Sequence, residues 1–320
     1  MAMAPLRLGT RGSLLATTQS GWVADRIRTI SGREVELVII RTTGDVVQDR
    51  PLSEIGGQGL FTRELDNALL EERVDIAVHS LKDLPTVFPK GLVLAAVPER
   101  EDPRDVLIGP EGASLTFAGL PEGARLGTGS LRRQALARAH HPGVQVEGVR
   151  GNLDTRIQKV DDGELDGIFL AAAGVRRLGW SHRISEALDL AAWPPAPGQG
   201  ALAIVARVGD EDSIRGWATE LNHGPTEAAV TAERTLLHTL EAGCQLPVAA
   251  LGLPFDRSLR LRAMVADPNG RRLVRAEATG RLESPEALGR QVAEVLLARG
   301  ADRILADVRT AVLERTGVNG

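Results

Sequence analysis

Residues 7–15 of this chain read Arg-Leu-Gly-Thr-Arg-Gly-Ser-Leu-Leu, and residues 125–133 read Arg-Leu-Gly-Thr-Gly-Ser-Leu-Arg-Arg. In both, a short apolar run gives way to glycine, and a serine stands where a helix would open, able to accept one of the unpaired N–H groups of its first turn. The likeness continues downstream, where Asp75-Ile76 and Asp166-Gly167-Ile168 each lead into a hydrophobic run.

Working outward, the first copy predicts a strand at Leu6 to Gly9, a helix from Ser13 to Ile30, a strand at Val35 to Ile40, a helix at Thr62 to Glu72 and a strand at Ile76 to His79. The second follows the charged, proline-bearing stretch Val97 to Asp105. It has strands at Arg125 to Gly127, Val144 to Val149 and Ile168 to Ala172, with helices opening at Ser130 and Asn152. Alternating strands and helices specify open, mainly parallel sheets. Two similar α/β domains are therefore expected, with ligand in the cleft between them at the carboxyl ends of the strands.

After Trp193-Pro194-Pro195-Ala196-Pro197-Gly198-Gln199-Gly200, the apolar run Ala201 to Val205 predicts a strand that returns to the first domain, so this crossing would act as a hinge. Beyond it the pattern becomes α+β. A helix at Glu227 to Glu241 precedes a hairpin, Leu259 to Ala266 and Arg272 to Thr279, turning through Asp267-Pro268-Asn269-Gly270. A closing helix has Ser284 as its cap and Pro285 in its first turn, and stops at Gly300. The expected division is residues 1–99 with 200–218, then 100–199, then 219–320.

A chain of 320 residues is long enough for two or three cores, and 43% hydrophobic with 25% charged residues is an ordinary globular composition. The net charge of −4 provides no global field for nucleic acid or an anionic membrane. Neither an export segment nor an apolar run of roughly 18 residues is visible. These features predict a cytoplasmic protein; the expected partner is a small molecule and the expected state a monomer. A single cysteine forms no internal disulfide, the six histidines lack metal-ligand spacing, and no nucleotide-binding glycine loop is complete.

Arginine is the strongest chemical signal: Arg11, Arg132, Arg133, Arg150, Arg156, Arg176 and Arg177 fall at strand-to-helix junctions or in first helical turns. Guanidinium groups pair with carboxylates bidentately and stay charged, which suits a polyacidic substrate. Ser13 and Ser130 either cap their helices only or also bind an anion there. Lys82-Asp83, after the strand ending His79-Ser80, is either an acid/base pair or a local salt bridge. Cys244, in Glu241-Ala242-Gly243-Cys244-Gln245, is either a buried inert thiol or a loop nucleophile. Gly56-Gly57-Gln58-Gly59-Leu60-Phe61 reads as a lid or a flexible loop.

Together these segments resemble the porphobilinogen deaminases, also called hydroxymethylbilane synthases. The likeness rests on Gly9-Thr10-Arg11, Gly57 to Phe61, Ala77 to Asp83, Arg100 to Asp105, Ser130 to Arg133, Arg150-Gly151-Asn152 and Glu241 to Gln245. The resemblance implies two domains like periplasmic binding proteins plus a third. It also implies a transferase of haem and tetrapyrrole biosynthesis that joins four porphobilinogens head to tail with loss of ammonia, then hydrolyses the product from a permanent dipyrromethane primer. By the same matching, Cys244 carries that primer through a thioether, and Lys82, Ser13, Ser130, Arg132 and Arg133 hold its carboxylates. Arg11, Arg150, Arg156 and Arg177 bind substrate, and Asp83 is the catalytic carboxylate. Phe61 stacks on pyrrole rings or is a core aromatic. Two departures stand out, Gln58 in place of a common lysine and Gly129 in place of a frequent serine. A non-catalytic anion-binding protein would share the arginines but leave Cys244 unexplained, and an inactive homologue would have no need of Asp83 and Cys244.

Overall fold

The first Arg-Leu-Gly-Thr segment forms strand β1 (Leu6–Thr10), in which Leu6 and Leu8 alternate into the core at 1% and 0% exposure. The computed structural model describes residues 4–42, 62–242 and 246–316. The segment Gly56 to Phe61, with Gln58, and the cysteine Cys244 lie outside them. The chain divides into two units, Met1–Glu101 with Ala201–Glu227, and Asp102–Gly200 with Ala228–Gly320.

In the first unit, β1 leads through Ser13 into α1 (Leu14–Ser31). Ser13 is extended and its hydroxyl accepts the Ala16 N–H at 3.4 Å, while Gly32, at φ 64°, ends the helix by donating its N–H to Arg28 O. Next come β2 (Val35–Ile39), α2 (Arg63–Leu70), β3 (Ile76–Ser80) and β4 (Leu92–Ala96). In the second unit β5 (Asp105–Ile108) precedes β6 (Arg125–Gly127), α3 (Leu131–His140), β7 (Gln145–Glu147), α4 (Leu153–Asp161), β8 (Gly167–Ala171), α5 (Ala172–Arg177) and β9 (Glu186–Ala187). The chain then forms β10 (Leu202–Arg207) and α6 (Glu211–Leu221).

The two five-stranded sheets have one topology, β2-β1-β3-β10-β4 and β7-β6-β8-β5-β9. The repeat extends to its fastenings. Arg7 N–H donates to Asp75 at 2.8 Å and Arg125 N–H to Asp166 at 2.7 Å, and the two aspartate N–H groups return to the arginine carbonyls at 2.8 and 2.9 Å. Both sheets are mixed rather than purely parallel: β10 runs antiparallel to β3 and β4, and β5 to β8 and β9. Each of these strands enters after a stretch spent in the other unit, so no crossover helix within its own sheet sets its direction.

Helix α7 (Gly224–Thr239) begins in the first unit and runs on into the second, whose remainder holds the antiparallel sheet β11 (Val248–Phe255), β12 (Ser258–Ala266) and β13 (Leu273–Arg281), then α8 (Pro285–Ala298) and α9 (Ala301–Thr316). One face of that sheet packs Leu261 and Ala263 against Leu236, Val292 and Leu296. Its other face sends Ala249, Met264 and Ala266 into the core of Phe117, Phe169 and Trp193. Two local expectations fail. The Ser284 side chain makes no capping bond, and Gly300, at φ 91°, does not close the fold but separates α8 from a further helix. Ala301, Ile304, Leu305 and Val308 supply the apolar stripe of α9.

Candidate active site

In the first unit, β1 and β3 lie side by side and parallel, so Arg11 and the segment His79 to Asp83 follow the same edge of the sheet. Leu81 donates its N–H to Ala201 O at 3.0 Å and is 1% exposed, and Leu84 is 3% exposed and extended ahead of Pro85. These two buried leucines pin a single 3₁₀ turn, Leu81–Asp83, which leaves Lys82 half-buried and Asp83 exposed. Ser80 is steadied by Gln19 at 3.3 Å. His79 is buried, and burial followed by the charge of Arg11 pulls its pKa down to about 4. It is therefore neutral near pH 7, and its Nε2 is buried with no hydrogen-bond partner among the described residues. Arg11 and Ser13 stand at the N-terminal end of α1, where unpaired N–H groups and the helix dipole favour an anion.

In the second unit, Thr128 Oγ1 accepts the Ser130 N–H at 3.1 Å and the Ser130 hydroxyl accepts the Arg133 N–H at 3.5 Å, which opens α3. Arg132 and Arg133 in its first turn are buried at 2% and 6% exposure. Both turn to Asp105, the first residue of β5 and itself 0% exposed. Arg132 Nη1 and Nη2 reach its two oxygens at 2.6 and 3.1 Å, and Arg133 Nε and Nη2 reach Oδ1 at 3.0 and 2.8 Å. Gln199 Nε2 adds a bond at 2.9 Å. Burial alone would raise the Asp105 pKa, but the two guanidiniums and the amide outweigh it and hold the carboxyl well below its usual range. Two guanidiniums and one carboxylate carry one net positive charge.

The remaining arginines are more accessible. Arg150 and Arg156 are half-buried around Gly151, which sits at φ 104°, and Arg156 Nε donates to Gly151 O at 2.7 Å. Arg177 is half-buried and donates to Gly200 O at 2.7 Å. Arg176 pairs with Asp102 at 2.9 Å, a carboxylate that it shares with Arg104 at 2.7 Å. At Gly129 a Cβ would lie 3.1 Å from Val149 O, so a side chain there needs a small backbone adjustment.

Within the first unit the structure thus gathers Arg11, Ser13, Lys82 and Asp83, and within the second it gathers Ser130, Arg132 and Arg133. Sequence reasoning does not reach the partners of that second group, Asp105 and Gln199. A signal for Asp105 exists: an acidic residue opening an otherwise apolar strand, Asp-Val-Leu-Ile, calls for a buried cation. Half-buried arginines at strand ends and helix starts mark a class, an α/β protein with cationic strand-to-helix junctions.

Residues 6–215 match the family model described as porphobilinogen deaminase, dipyromethane cofactor binding domain, and residues 228–298 match porphobilinogen deaminase, C-terminal domain. The chain is 50% identical over 304 residues to the porphobilinogen deaminase of Desulforudis audaxviator, covering 94% of this chain and 97% of that one. It is 45% identical over 307 residues to that of Syntrophotalea carbinolica, with 96% of each covered. Among solved structures, an arginine-specific periplasmic binding protein of Salmonella typhimurium aligns at 15% identity and a TM-score of 0.40, covering 68% of this chain and 92% of that one. The chain belongs to the porphobilinogen deaminase family.

Proposed function

We propose that this chain acts as a porphobilinogen deaminase, a transferase of tetrapyrrole biosynthesis. It would join four porphobilinogens head to tail with loss of ammonia and release hydroxymethylbilane by hydrolysis. The observation that carries this reading is the family match over residues 6–215 and 228–298, the first part of which holds Asp83 exposed on its anchored turn.

The donor set fits the substrate and the dipyrromethane cofactor, both rich in carboxylates. Arg11, Arg150, Arg156 and Arg177 are charged at every working pH and reach solvent, so they suit acetate and propionate groups. Lys82 and the helix openings at Ser13 and Ser130 add further donors for the primer. The resemblance implies that Arg132 and Arg133 grip primer carboxylates directly. Their commitment to Asp105 supports action through their net charge instead. Cys244 would hold a dipyrromethane as a thioether, and that group would supply the pyrrole carbon that accepts the first substrate. When the aminomethyl C–N bond of porphobilinogen breaks and ammonia leaves, the substrate becomes cationic, and the Asp83 carboxylate stabilises that charge and takes the proton lost on coupling. Phe61 would stack on the rings.

We also read three domains here, residues 1–99 with 200–218, 100–199 and 219–320, because each contributes one of the three sheets among the described residues. A monomer is part of the same proposal, and a lone cysteine that must stay reduced until its primer is attached suits the cytoplasm. Intact mass tests the reading. Protein from a host that makes porphobilinogen should carry the extra mass of a dipyrrole, lost in Cys244→Ser, and should release ammonia from porphobilinogen. An unmodified wild-type mass with no ammonia released would overturn it.

A further inference from the structure

Three of the candidate arginines end on one seven-residue stretch, Pro194-Pro195-Ala196-Pro197-Gly198-Gln199-Gly200. Arg132 Nη1 donates to Pro194 O at 2.9 Å, Arg133 Nη2 to Gln199 Oε1 at 3.4 Å and Arg177 Nη2 to Gly200 O at 2.7 Å. The stretch is itself fixed. Three prolines restrict φ, Ala250 N–H donates to Pro195 O at 3.0 Å, and Gly198 N–H donates to the buried Glu233 carboxylate at 2.6 Å. Gly198 and Gly200 take φ of 73° and 89°, which turns the backbone on either side of Gln199.

Gln199 is 1% exposed, and its amide can face only one way. Nε2 donates to Pro103 O at 2.8 Å and to Asp105 Oδ1 at 2.9 Å, while Oε1 meets the Arg133 guanidinium. A flipped amide would set oxygen against two acceptors and N–H groups against a cation. No apolar side chain and no carboxylate meets all three demands. We infer that Gln199 is a positioning residue: it locks Asp105 and Arg133 to the 194–200 stretch, which thereby sets the guanidiniums of Arg132, Arg133 and Arg177 as one group. The inference rests on the reading that these arginines serve substrate and primer carboxylates. It gives the stretch a second use beyond linking two strands.

The test uses the full-length chain with Gln199→Glu and, separately, Gln199→Met. At pH 8 the carboxylate introduced by Gln199→Glu is ionised, repels Asp105 and cancels the net positive charge of the cluster. The KM for porphobilinogen should rise about tenfold or more with kcat within about threefold, and the fraction of purified chains carrying the primer's extra mass should fall. Gln199→Met, which fills the space without hydrogen bonds, should show the raised KM at every pH. Wild-type KM and primer loading in the folded variants, or a fall in kcat at unchanged KM, would overturn the inference. If Gln199→Glu does not fold, Gln199→Met decides alone; if neither folds, the inference is overturned in favour of a purely structural amide. Failure of the functional reading is a different result, since the wild type itself would then lack the extra mass and leave porphobilinogen unconsumed.

Discussion

Arg132 closes on Asp105 through both terminal nitrogens, Nη1 to Oδ2 at 2.6 Å and Nη2 to Oδ1 at 3.1 Å, with both side chains almost wholly removed from solvent. Such a pair stabilises little compared with an apolar substitute, but breaking it is strongly destabilising, because the survivor is left charged in a poor solvent. Here two guanidiniums would be left. Asp105→Asn should therefore lower unfolding free energy by about 3–5 kcal/mol in urea at pH 7. The pH dependence follows from the same group. The folded carboxyl titrates below its unfolded value of about 3.9, so its stabilisation is complete above that value and is lost as pH falls below it. Acid unfolding curves of wild type and Asp105→Asn should converge at low pH. Parallel curves would refute this assignment.

His79 gives a second pH dependence in a higher window. Its pKa in the fold is about 4, against an ordinary 6.5, so the unfolded chain binds the proton more readily. The stability tied to neutral His79 is complete above about 6.5 and drains away as pH falls to about 4, to a limit of about 3 kcal/mol. Replacement by leucine should flatten the stability profile between pH 6.5 and 4 relative to wild type. Denaturant melts at pH 7, 5.5 and 4.5 read this directly, and an unchanged slope would show that His79 does not supply it.

The repeat makes the two α/β sheets legible, since Arg-Leu-Gly-Thr followed by Ser is a strand end and a helix cap at once, and Ser13 and Ser130 both cap as expected. The antiparallel direction of β5 and β10 is not legible, because strand direction depends on where the chain arrives from and not on the strand's own residues. Helix α9 escapes the sequence reading for a different reason. Gly300 is a valid helix stop, and it masks the apolar spacing that restarts one residue later. At the candidate site the cations are readable one by one. Their grouping is not: Arg132 and Asp105 are 27 positions apart, and Arg133 and Gln199 are 66 apart.

Gly270 ties the hairpin turn to the arginine-bearing helix. It sits at φ 73°, and a Cβ there would lie 2.6 Å from both Ala135 O and Ala139 N, backbone atoms of α3. In the same turn Pro268 O accepts Arg138 Nη1 at 2.6 Å, a second contact with α3. Gly270→Ala should cost about 2–3 kcal/mol, combining left-handed strain with a backbone collision. Gly163→Ala is the control, with the same φ of 73° and nothing within 4 Å of its Cβ. Strain alone should cost it about 1 kcal/mol. Equal losses in thermal melts would rule out the collision with α3.

Asp83 is the residue at which binding and chemistry should separate. Leu81 and Leu84 hold its turn from within the core, and its own side chain is exposed, so an isosteric amide leaves the support untouched. Asp83→Asn should change stability by no more than about 0.5 kcal/mol. The arginines proposed to hold carboxylates remain, so KM for porphobilinogen should stay within about threefold of wild type. The amide, however, carries no negative charge and takes up no proton, so it lacks both parts of the role proposed for Asp83. The kcat should fall by about 10²–10⁴. Ammonia release followed at several porphobilinogen concentrations separates the two constants. A variant with wild-type kcat would remove Asp83 from the chemistry, and one with a raised KM and unchanged kcat would make it a binding residue instead.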